Sequence, residues 1–231
     1  VKALIQQTEK AAYYAGDDGR SDARMMIVDS QGRKQMRQFT ILRKDIQDNG
    51  DQQMMVFFSR PTDVKGTVFR VEKHAKVEQD DDRWLYLPAL DLVKRISAGD
   101  KRTSFVGSHF YYEDVSGRNP NEDTYTLLTE QSKGASYFVK GQPKDPSSVE
   151  FSYLIAQIDK KTMMPMQVTY FDGNGDKLRE MKVLKTQNIA GFNTVMHSRI
   201  TQFSDNSFTE MQFRNVKYNL GLPDYIFFCQ D

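Results

Sequence analysis

The chain has 231 residues, with 32 basic and 31 acidic side chains and a formal net charge of +1. This near-neutral balance excludes the concentrated basic surface on which nucleic-acid binding depends, and it gives no polybasic case for membrane binding. The length suits one large β domain, so we expect a single domain over residues 1–231 and no nucleic-acid partner.

A helix is predicted at the N-terminus, over residues 1–16. Leu4, Ile5 and Ala11 recur at helical spacing, and a Gly-Asp-Asp-Gly cluster at residues 16–19 ends the segment. This is the longest helical pattern in the chain, so few helices are available to cover a sheet.

From about Asp22 to Phe228 the apolar residues alternate with polar ones, which is the period of a β-strand. Short connectors rich in Gly, Asn and Asp, such as residues 48–51 and 172–175, make neighbouring strands antiparallel. The pattern predicts ten or eleven strands. A sheet of that size rarely stays open and flat, so we expect it to curl into a closed or nearly closed barrel.

The inward positions of these strands are predicted to line an apolar cavity. Trp84 and Tyr86 form an aromatic strip that suits either a core or a ligand wall. A register error of one residue would swap the faces, and Phe57 would then replace Phe58. The predicted lining residues are Phe39, Ile41, Met54, Val56, Phe58, Phe69, Val71, Trp84 and Tyr86.

Residues 88–123 break the alternation and are predicted to form a lid over the mouth of the sheet. Gly107 and Gly117 bound its aromatic part, and the spacing favours short helical turns, with Ser108 as the capping residue of the turn that begins there. The lid residues expected to contact the interior are Phe105, Val106, Phe110 and Tyr111.

The sequence carries no strong catalytic or metal-binding motif. Its three histidines lack metal-ligand spacing, and neither a nucleophile elbow nor a phosphate loop is present. We therefore expect no metal, no cofactor and no enzymatic activity. A hydrolase remains an alternative; it would need Glu113, Asp114 or His109 to converge in a cleft with shifted pKa values. Cys229, the single cysteine, is predicted to be a buried small hydrophobe.

An ordered set of segments resembles the bacterial outer-membrane lipoprotein-sorting proteins of the LolA-like superfamily. The relevant branch is associated with lipid exporters of the resistance-nodulation-division type. The segments that carry the resemblance are residues 58–67 (FSRPTDVKGT), 83–89 (RWLYLPA), 93–96 (VKRI), 104–108 (SFVGS), 112–114 (YED), 158–165 (IDKKTMMP), 170–175 (YFDGNG) and 219–227 (NLGLPDYIF). His109 departs from the pattern, since relatives are expected to have an acidic residue at its position.

This resemblance implies an incompletely closed antiparallel β-barrel with an N-terminal helix and a short helical lid. It implies a periplasmic protein, in its mature form without a signal peptide, that shields acyl chains of a lipoprotein or lipid during transfer between the inner and outer membranes. Its partners would be an inner-membrane exporter and an outer-membrane acceptor. The family's gating arginine has three candidates here, Arg37, Arg43 and Arg95.

The alternative is a non-catalytic accessory or interaction subunit of an envelope lipid transporter. Such a subunit needs no cavity, and it predicts a filled barrel without bound lipid. The carrier predicts an apolar cavity lined with adaptable Met and aromatic side chains.

Overall fold

Antiparallel strands make up most of the structure. The computed structural model describes residues 1–47, 50–76 and 78–228, so Cys229 and part of the predicted turn at residues 48–51 lie outside the described residues. Within this range there are two α-helices, α1 (Lys2–Tyr13) and α2 (Tyr112–Ser116), and thirteen strands, more than the ten or eleven predicted. The strands are β1 (Asp18–Val28), β2 (Lys34–Asp45), β3 (Gln52–Arg60), β4 (Val68–Lys73), β5 (Asp82–Leu87), β6 (Leu92–Ile96), β7 (Asp123–Leu127), β8 (Ser136–Pro143), β9 (Tyr153–Asp159), β10 (Pro165–Phe171), β11 (Lys177–Ile189), β12 (Phe192–Gln202) and β13 (Phe208–Tyr218).

All of these strands belong to one sheet, whose order is β6-β5-β4-β3-β2-β1-β13-β12-β11-β10-β9-β8-β7. The first and last strands pair in the middle of the sheet. From there β1 to β6 step outwards to one edge, and β7 to β13 step back from the other edge. The edge strands β6 and β7 do not pair with each other in the described part of the chain. The predicted fold, an incompletely closed antiparallel β-barrel, is confirmed.

Helix α1 shows how strongly the sheet is curled. Glu9 forms an ion pair with Lys73 of β4 at 3.4 Å, whereas Leu4 and Ile5 pack against the cluster of buried residues on β8 and β9. In a flat sheet, β4 and β8 would stand about 43 Å apart, at about 4.8 Å for each strand step. A helix of 12 residues is only about 18 Å long, so α1 reaches both strands only because the sheet wraps around it.

The connection from β6 to β7, residues 97–122, crosses the inner face of the curled sheet; we call it the crossover segment. Its Phe105 is fully buried, with ring centroids 5.7 Å from Phe58, 5.3 Å from Phe69 and 5.7 Å from Tyr112. A tight turn presents this ring, because Val106 and Gly107 both adopt positive φ angles. The crossover segment therefore fills the space between β2, β3 and β4 with one of its own aromatic side chains.

The predicted lid bounds, residues 88–123, were too wide at the N-terminal side. Residues 92–96 form strand β6, which pairs with β5 along its whole length, so they belong to the wall. Ser108 makes a capping contact, because its Oγ accepts from the Phe110 amide at 3.2 Å and donates to the Phe105 carbonyl at 2.7 Å. The helical turn predicted to begin there does not form. Helix α2 begins at Tyr112, where the Asp114 carboxylate accepts from the Tyr111 amide at 2.6 Å.

The outer face of the sheet carries a separate apolar cluster. Leu42, Met55 and Phe227 form its buried part, and Phe57 packs against them, so Phe58 is the inward residue of β3. Trp84 and Tyr86 also lie on this outer face, opposite Arg70 and Val68.

The prediction that Trp84 and Tyr86 face the interior is therefore wrong by one residue. The inward side chains of β5 are Arg83 and Leu85, which pair with Val71 and Phe69. Because the inward Arg83 is charged, the alternation of apolar and polar residues in this strand appears shifted by one position. The outward Trp84 is stabilised by the Arg70 guanidinium, which lies 4.7 Å from its ring centroid.

We expect Phe105→Ala to lower the free energy of unfolding by about 3–5 kcal/mol, because it leaves a cavity among rings that have little freedom to collapse. Chemical denaturation followed by circular dichroism measures this change. Leu90→Ala is the matched control, since Leu90 is 70% exposed and should change stability by no more than about 0.5 kcal/mol. Equal effects of the two substitutions would contradict the placement of Phe105.

Candidate functional site

A hollow of about 280 Å³ lies on the inner face, between the wall strands and the two helices. Its roof comes from Ala12 and Tyr13 of α1 and from Val115 of α2, and two acidic residues of α2 also reach it. Its walls come from β2 and β10 to β13 and are mainly apolar. The wall residues include Ile41, Val168, Tyr170, Met181, Val195 and Phe213.

A second hollow of about 210 Å³ adjoins the first beneath the end of α1. The two share six lining residues, so they form one interrupted channel along the inner face. The shared residues are Ala12, Tyr13, Ile41, Met164, Val195 and Phe213. The first hollow is close to the lower end of the range of small-molecule pockets, roughly 300–1,000 Å³.

The structure divides the seven predicted lining residues that face inwards into two groups. Phe39, Ile41 and Met54 lie on the hollows. Four others belong to the buried cluster that the crossover segment fills with Phe105, namely Val56, Phe58, Phe69 and Val71. The inner face is therefore apolar where the sequence predicted, but in this closed arrangement the protein occupies part of that surface itself.

The four predicted lid residues also have different positions. Phe110 is buried and lines the first hollow, whereas Phe105 and Val106 pack into the aromatic cluster beside it. The ring of Tyr111 lies against the guanidinium of Arg179, whose carbon is 3.6 Å from the ring centroid.

Arg179 of β11 binds the crossover segment from one wall. This side chain is 1% exposed. Its Nη2 donates to Asp114 Oδ2 at 2.5 Å and to the His109 carbonyl oxygen at 2.9 Å, while Tyr111 stacks on its plane. A guanidinium that binds a carboxylate and a carbonyl and stacks on an aromatic ring fixes the start of α2 in one geometry.

Arg83 of β5 binds the other end of α2 from the opposite half of the sheet. It is also buried, and its Nη2 donates to the Ser116 hydroxyl at 3.3 Å. Its main partner is Asp81 at 2.7 Å, a residue of the same wall. Helix α2 is thus held at both ends by buried arginines that come from opposite walls.

Charged residues of the crossover segment form a network around Glu113, which is 2% exposed. Arg102 reaches Glu113 at 2.5 Å, Arg118 at 3.2 Å and Lys101 at 3.4 Å. Burial alone raises the pKa of the Glu113 carboxyl, but the three cations outweigh it and hold that pKa below its ordinary value of 4.5. The carboxylate is therefore charged at neutral pH and joins this part of the segment electrostatically.

This network also attaches the crossover segment to the second half of the sheet. Arg102 donates two hydrogen bonds to Glu150, each 2.6 Å long, and Arg118 donates two to Asp123 of β7, each 2.9 Å long. Paired hydrogen bonds of this kind are the strong form of an arginine–carboxylate contact.

The three candidates for a hydrolase have separate partners. Glu113 binds the cations of its own segment, Asp114 binds Arg179, and His109 Nδ1 lies 2.8 Å from the Thr209 hydroxyl. Burial, aided by the charge of Arg179, lowers the pKa of the His109 imidazole. Within the described residues, no hydrogen bond or ion pair joins the His109 ring to either carboxylate.

None of the three candidates for a gating arginine contacts the crossover segment in the described structure. Arg43 donates to the carbonyls of Ala15 and Gly16 just after α1, and Arg95 pairs with Asp82 at 2.5 Å. Arg37 donates to the adjacent carbonyl of Met36. Arg179 binds the lid instead. The sequence signal that could have identified it is a charged residue two and four positions before the inward Met181 and Val183 of the same strand.

One group in the described residues has the arrangement of a metal site. The ligand atoms of Glu72, His74 and Asp82 lie within 4.8 Å of one another. Both carboxylates already have cationic partners, Arg70 for Glu72 and Arg95 for Asp82, so the group is neutralised without an ion. Among the described helices, none combines the length and apolar character needed to cross a bilayer.

Comparison with known proteins gives a family and a fold. A family model described only as that of an uncharacterized protein matches residues 50–230. A solved DUF1329 family protein from Desulfovibrio piger is 29% identical, with a TM-score of 0.87 over 98% of this chain and 94% of that chain. No functionally curated protein matches the chain.

Two further solved structures share the fold. A putative outer membrane lipoprotein-sorting protein domain from Vibrio parahaemolyticus is 24% identical, with a TM-score of 0.86 over 97% of this chain and 94% of that chain. A LolA superfamily protein from Nitrosomonas europaea is 14% identical, with a TM-score of 0.73 over 99% of this chain and 97% of that chain. These two structures show that the chain has the LolA-like fold that the resemblance implied.

We expect Glu113→Gln to destabilise the protein by about 3–5 kcal/mol at neutral pH, because it leaves buried cations without their shared carboxylate. The folded-state pKa of Glu113 is depressed, so its stabilising effect is complete above 4.5 and is lost as the pH falls through the folded-state value. The difference between the variant and the wild type should therefore shrink in acid.

Unfolding free energies measured from neutral to acid pH check this. Glu130→Gln is the control, because Glu130 is exposed and pairs only with the exposed Lys133 among the described residues. A destabilisation by Glu113→Gln that stays constant with pH would contradict the role of the Glu113 charge.

Proposed function

The chain belongs to the DUF1329-like family, and from this premise we propose that it is a periplasmic carrier of acyl chains. In this role the inner face shields the chains of a lipoprotein or lipid while they pass between the inner and outer membranes. The protein performs no chemistry on its cargo. The observation that carries the proposal is an apolar inner face that is partly hollow and partly filled by a residue of the crossover segment.

Phe105 explains how such a carrier stays stable when empty. An exposed apolar surface of this size would promote aggregation, so it must be covered when no cargo is bound. Phe105 covers it by packing against Phe39, Phe58 and Phe69. An acyl chain that takes the place of this ring recovers about 0.8 kcal/mol for each methylene that it buries.

Cargo entry therefore requires the crossover segment to move. Its polar contacts with the walls are localised, and they include Arg179 with Asp114, Arg83 with Ser116 and His109 with Thr209. An opening that exchanges Phe105 for an acyl chain replaces the apolar contact of that ring, so its main cost is the polar contacts that it breaks. The predicted lining residues of β2 to β4 then contact the cargo, together with the walls of the two hollows.

The membrane partners of the carrier follow from the resemblance and not from its surface. An inner-membrane exporter supplies the cargo, and an outer-membrane acceptor receives it. The structural relative from Vibrio parahaemolyticus, described as a putative outer membrane lipoprotein-sorting protein domain, supports a lipoprotein as the cargo. A lid held by discrete polar contacts suits such handover, because a partner needs to supply only enough free energy to break them.

Native mass spectrometry of the gently purified protein tests the proposal. The carrier should retain a lipid or acylated peptide as an added mass that is lost on activation. An accessory or interaction subunit, the alternative role, should show the mass of the bare chain and no uptake of added lipid.

We expect Val195→Trp to weaken binding of a fluorescent C16 acyl probe at least tenfold, because Val195 lines both hollows and the larger ring fills them. Fluorescence titration measures the change. Leu184→Trp is the control, since Leu184 on the neighbouring strand is 43% exposed, and its probe affinity should equal that of the wild type.

Overpacking typically costs about 1–3 kcal/mol, so thermal unfolding must show that both tryptophan variants are folded at the titration temperature. Unchanged probe affinity in folded Val195→Trp would contradict the assignment of the hollows as the binding site.

A further inference from the structure

Arg179 is a buried wall cation that depends on the crossover segment for its counterion. Among the described residues, Asp114 is the only carboxylate hydrogen-bonded to it. Two further contacts of its guanidinium, the His109 carbonyl and the Tyr111 ring, belong to the same segment, whereas the uncharged ring of Tyr170 on β10 lies 5.4 Å away on the wall. Any movement that lifts the start of α2 removes the three partners of the segment together and leaves Arg179 beside the Tyr170 ring.

The other buried cations do not share this dependence. Arg83 keeps Asp81 of its own wall when α2 moves. Arg102, Arg118 and Lys101 all lie in the crossover segment with Glu113, so they move together with that carboxylate. Lifting the start of α2 therefore leaves one buried wall cation, Arg179, without its hydrogen-bonded carboxylate.

An unpaired guanidinium in an apolar wall is strongly unfavourable, because burial removes its water and nothing replaces the lost charge partner. A wholly apolar cargo would impose this penalty each time it opened the lid. A cargo with an anionic end would remove the penalty. The planar guanidinium of arginine donates hydrogen bonds in a geometry that matches carboxylate and phosphate oxygens. The Asp114 carboxylate therefore occupies a position that the anionic group of a cargo can take.

The position of this pair relative to the hollow has the polarity of an amphipathic lipid. Asp114 lines the first hollow, and Met181 and Val183 follow Arg179 along β11, with Val195 further in the same direction on the neighbouring strand. A head group at Arg179 would thus leave an attached acyl chain directed along the apolar walls.

We propose that the cargo is an acyl lipid with an acidic head group, a carboxylate or a phosphate, which replaces the Asp114 carboxylate on Arg179 when the crossover segment opens. This inference rests on the proposed function, since it specifies the cargo of the same site. Two parts of the cargo then replace side chains of the crossover segment. The acyl chain displaces Phe105, and the head group displaces Asp114.

The test compares a fluorescent C16 fatty acid with its methyl ester, which has the same chain and no charge. The wild type should bind the acid at least tenfold more tightly than the ester, in keeping with a charge-assisted hydrogen bond. Arg179→Met should abolish this preference and bind the two probes within about twofold of each other. Arg179→Lys, which keeps the charge but loses the fork, should restore part of it.

Competition experiments then separate the possible sources of the anion. Unlabelled palmitate and a C16 lysophosphatidic acid should both displace the fluorescent acid, and inorganic phosphate alone should not, because it lacks the chain. The stronger of the two lipid competitors identifies the head group as carboxylate or phosphate. Displacement by inorganic phosphate at similar concentrations would overturn the lipid assignment in favour of a free anion.

The outcomes distinguish this inference from the function beneath it. Equal affinity of the wild type for the acid and the ester would overturn the acidic head group and leave the carrier intact. Absence of binding to both probes would overturn the carrier itself.

Because Arg179→Met removes a buried contact, its folding is verified by circular dichroism, and Asp114→Asn provides a second variant. That substitution removes the competing charge, so it should raise affinity for the acid more than for the ester; an equal gain would contradict the exchange.

Discussion

The structure depends on one constraint: a thirteen-stranded sheet within the described residues curls far enough to need an interior but leaves its edge strands β6 and β7 unpaired. Its inner face must therefore be covered by something other than strands. The chain meets this need with the segment that it already requires to travel from one edge to the other. The crossover segment connects the two edge strands, so the same residues link the two halves of the sheet and cover its mouth.

Two kinds of contact hold that cover, and they have different consequences. Apolar packing of Phe105 against the walls is non-directional, so any guest of similar character can replace it. The contact of Arg179 with Asp114 is directional and charged, so only a group of suitable charge and geometry replaces it without loss. A cover held in both ways is stable over an empty interior and still responds to a particular class of cargo. No separate gate is required.

Much of the fold follows from sequence patterns, because alternation and turn residues report local backbone geometry. The N-terminal helix, the antiparallel curled sheet and the inward position of residues such as Phe39 and Phe69 were predicted on that basis. Errors arose where tertiary context overrides the pattern. An inward Arg83 shifted the apparent alternation of β5, and residues 92–96, which were assigned to the lid, form a strand because they pair with β5. Arg179 was missed because a charge at an inward strand position reads as an interruption until its partner is seen.

The central claim is that the crossover segment exchanges its own side chains for cargo on the inner face. A crystal structure of the protein loaded with a saturated C16 fatty acid tests it most directly. We expect the acyl chain to lie along Met181, Val195 and Phe213, with Phe105 withdrawn from Phe58 and Phe69. A chain bound elsewhere on the molecule, with Phe105 still in place between those rings, would contradict it.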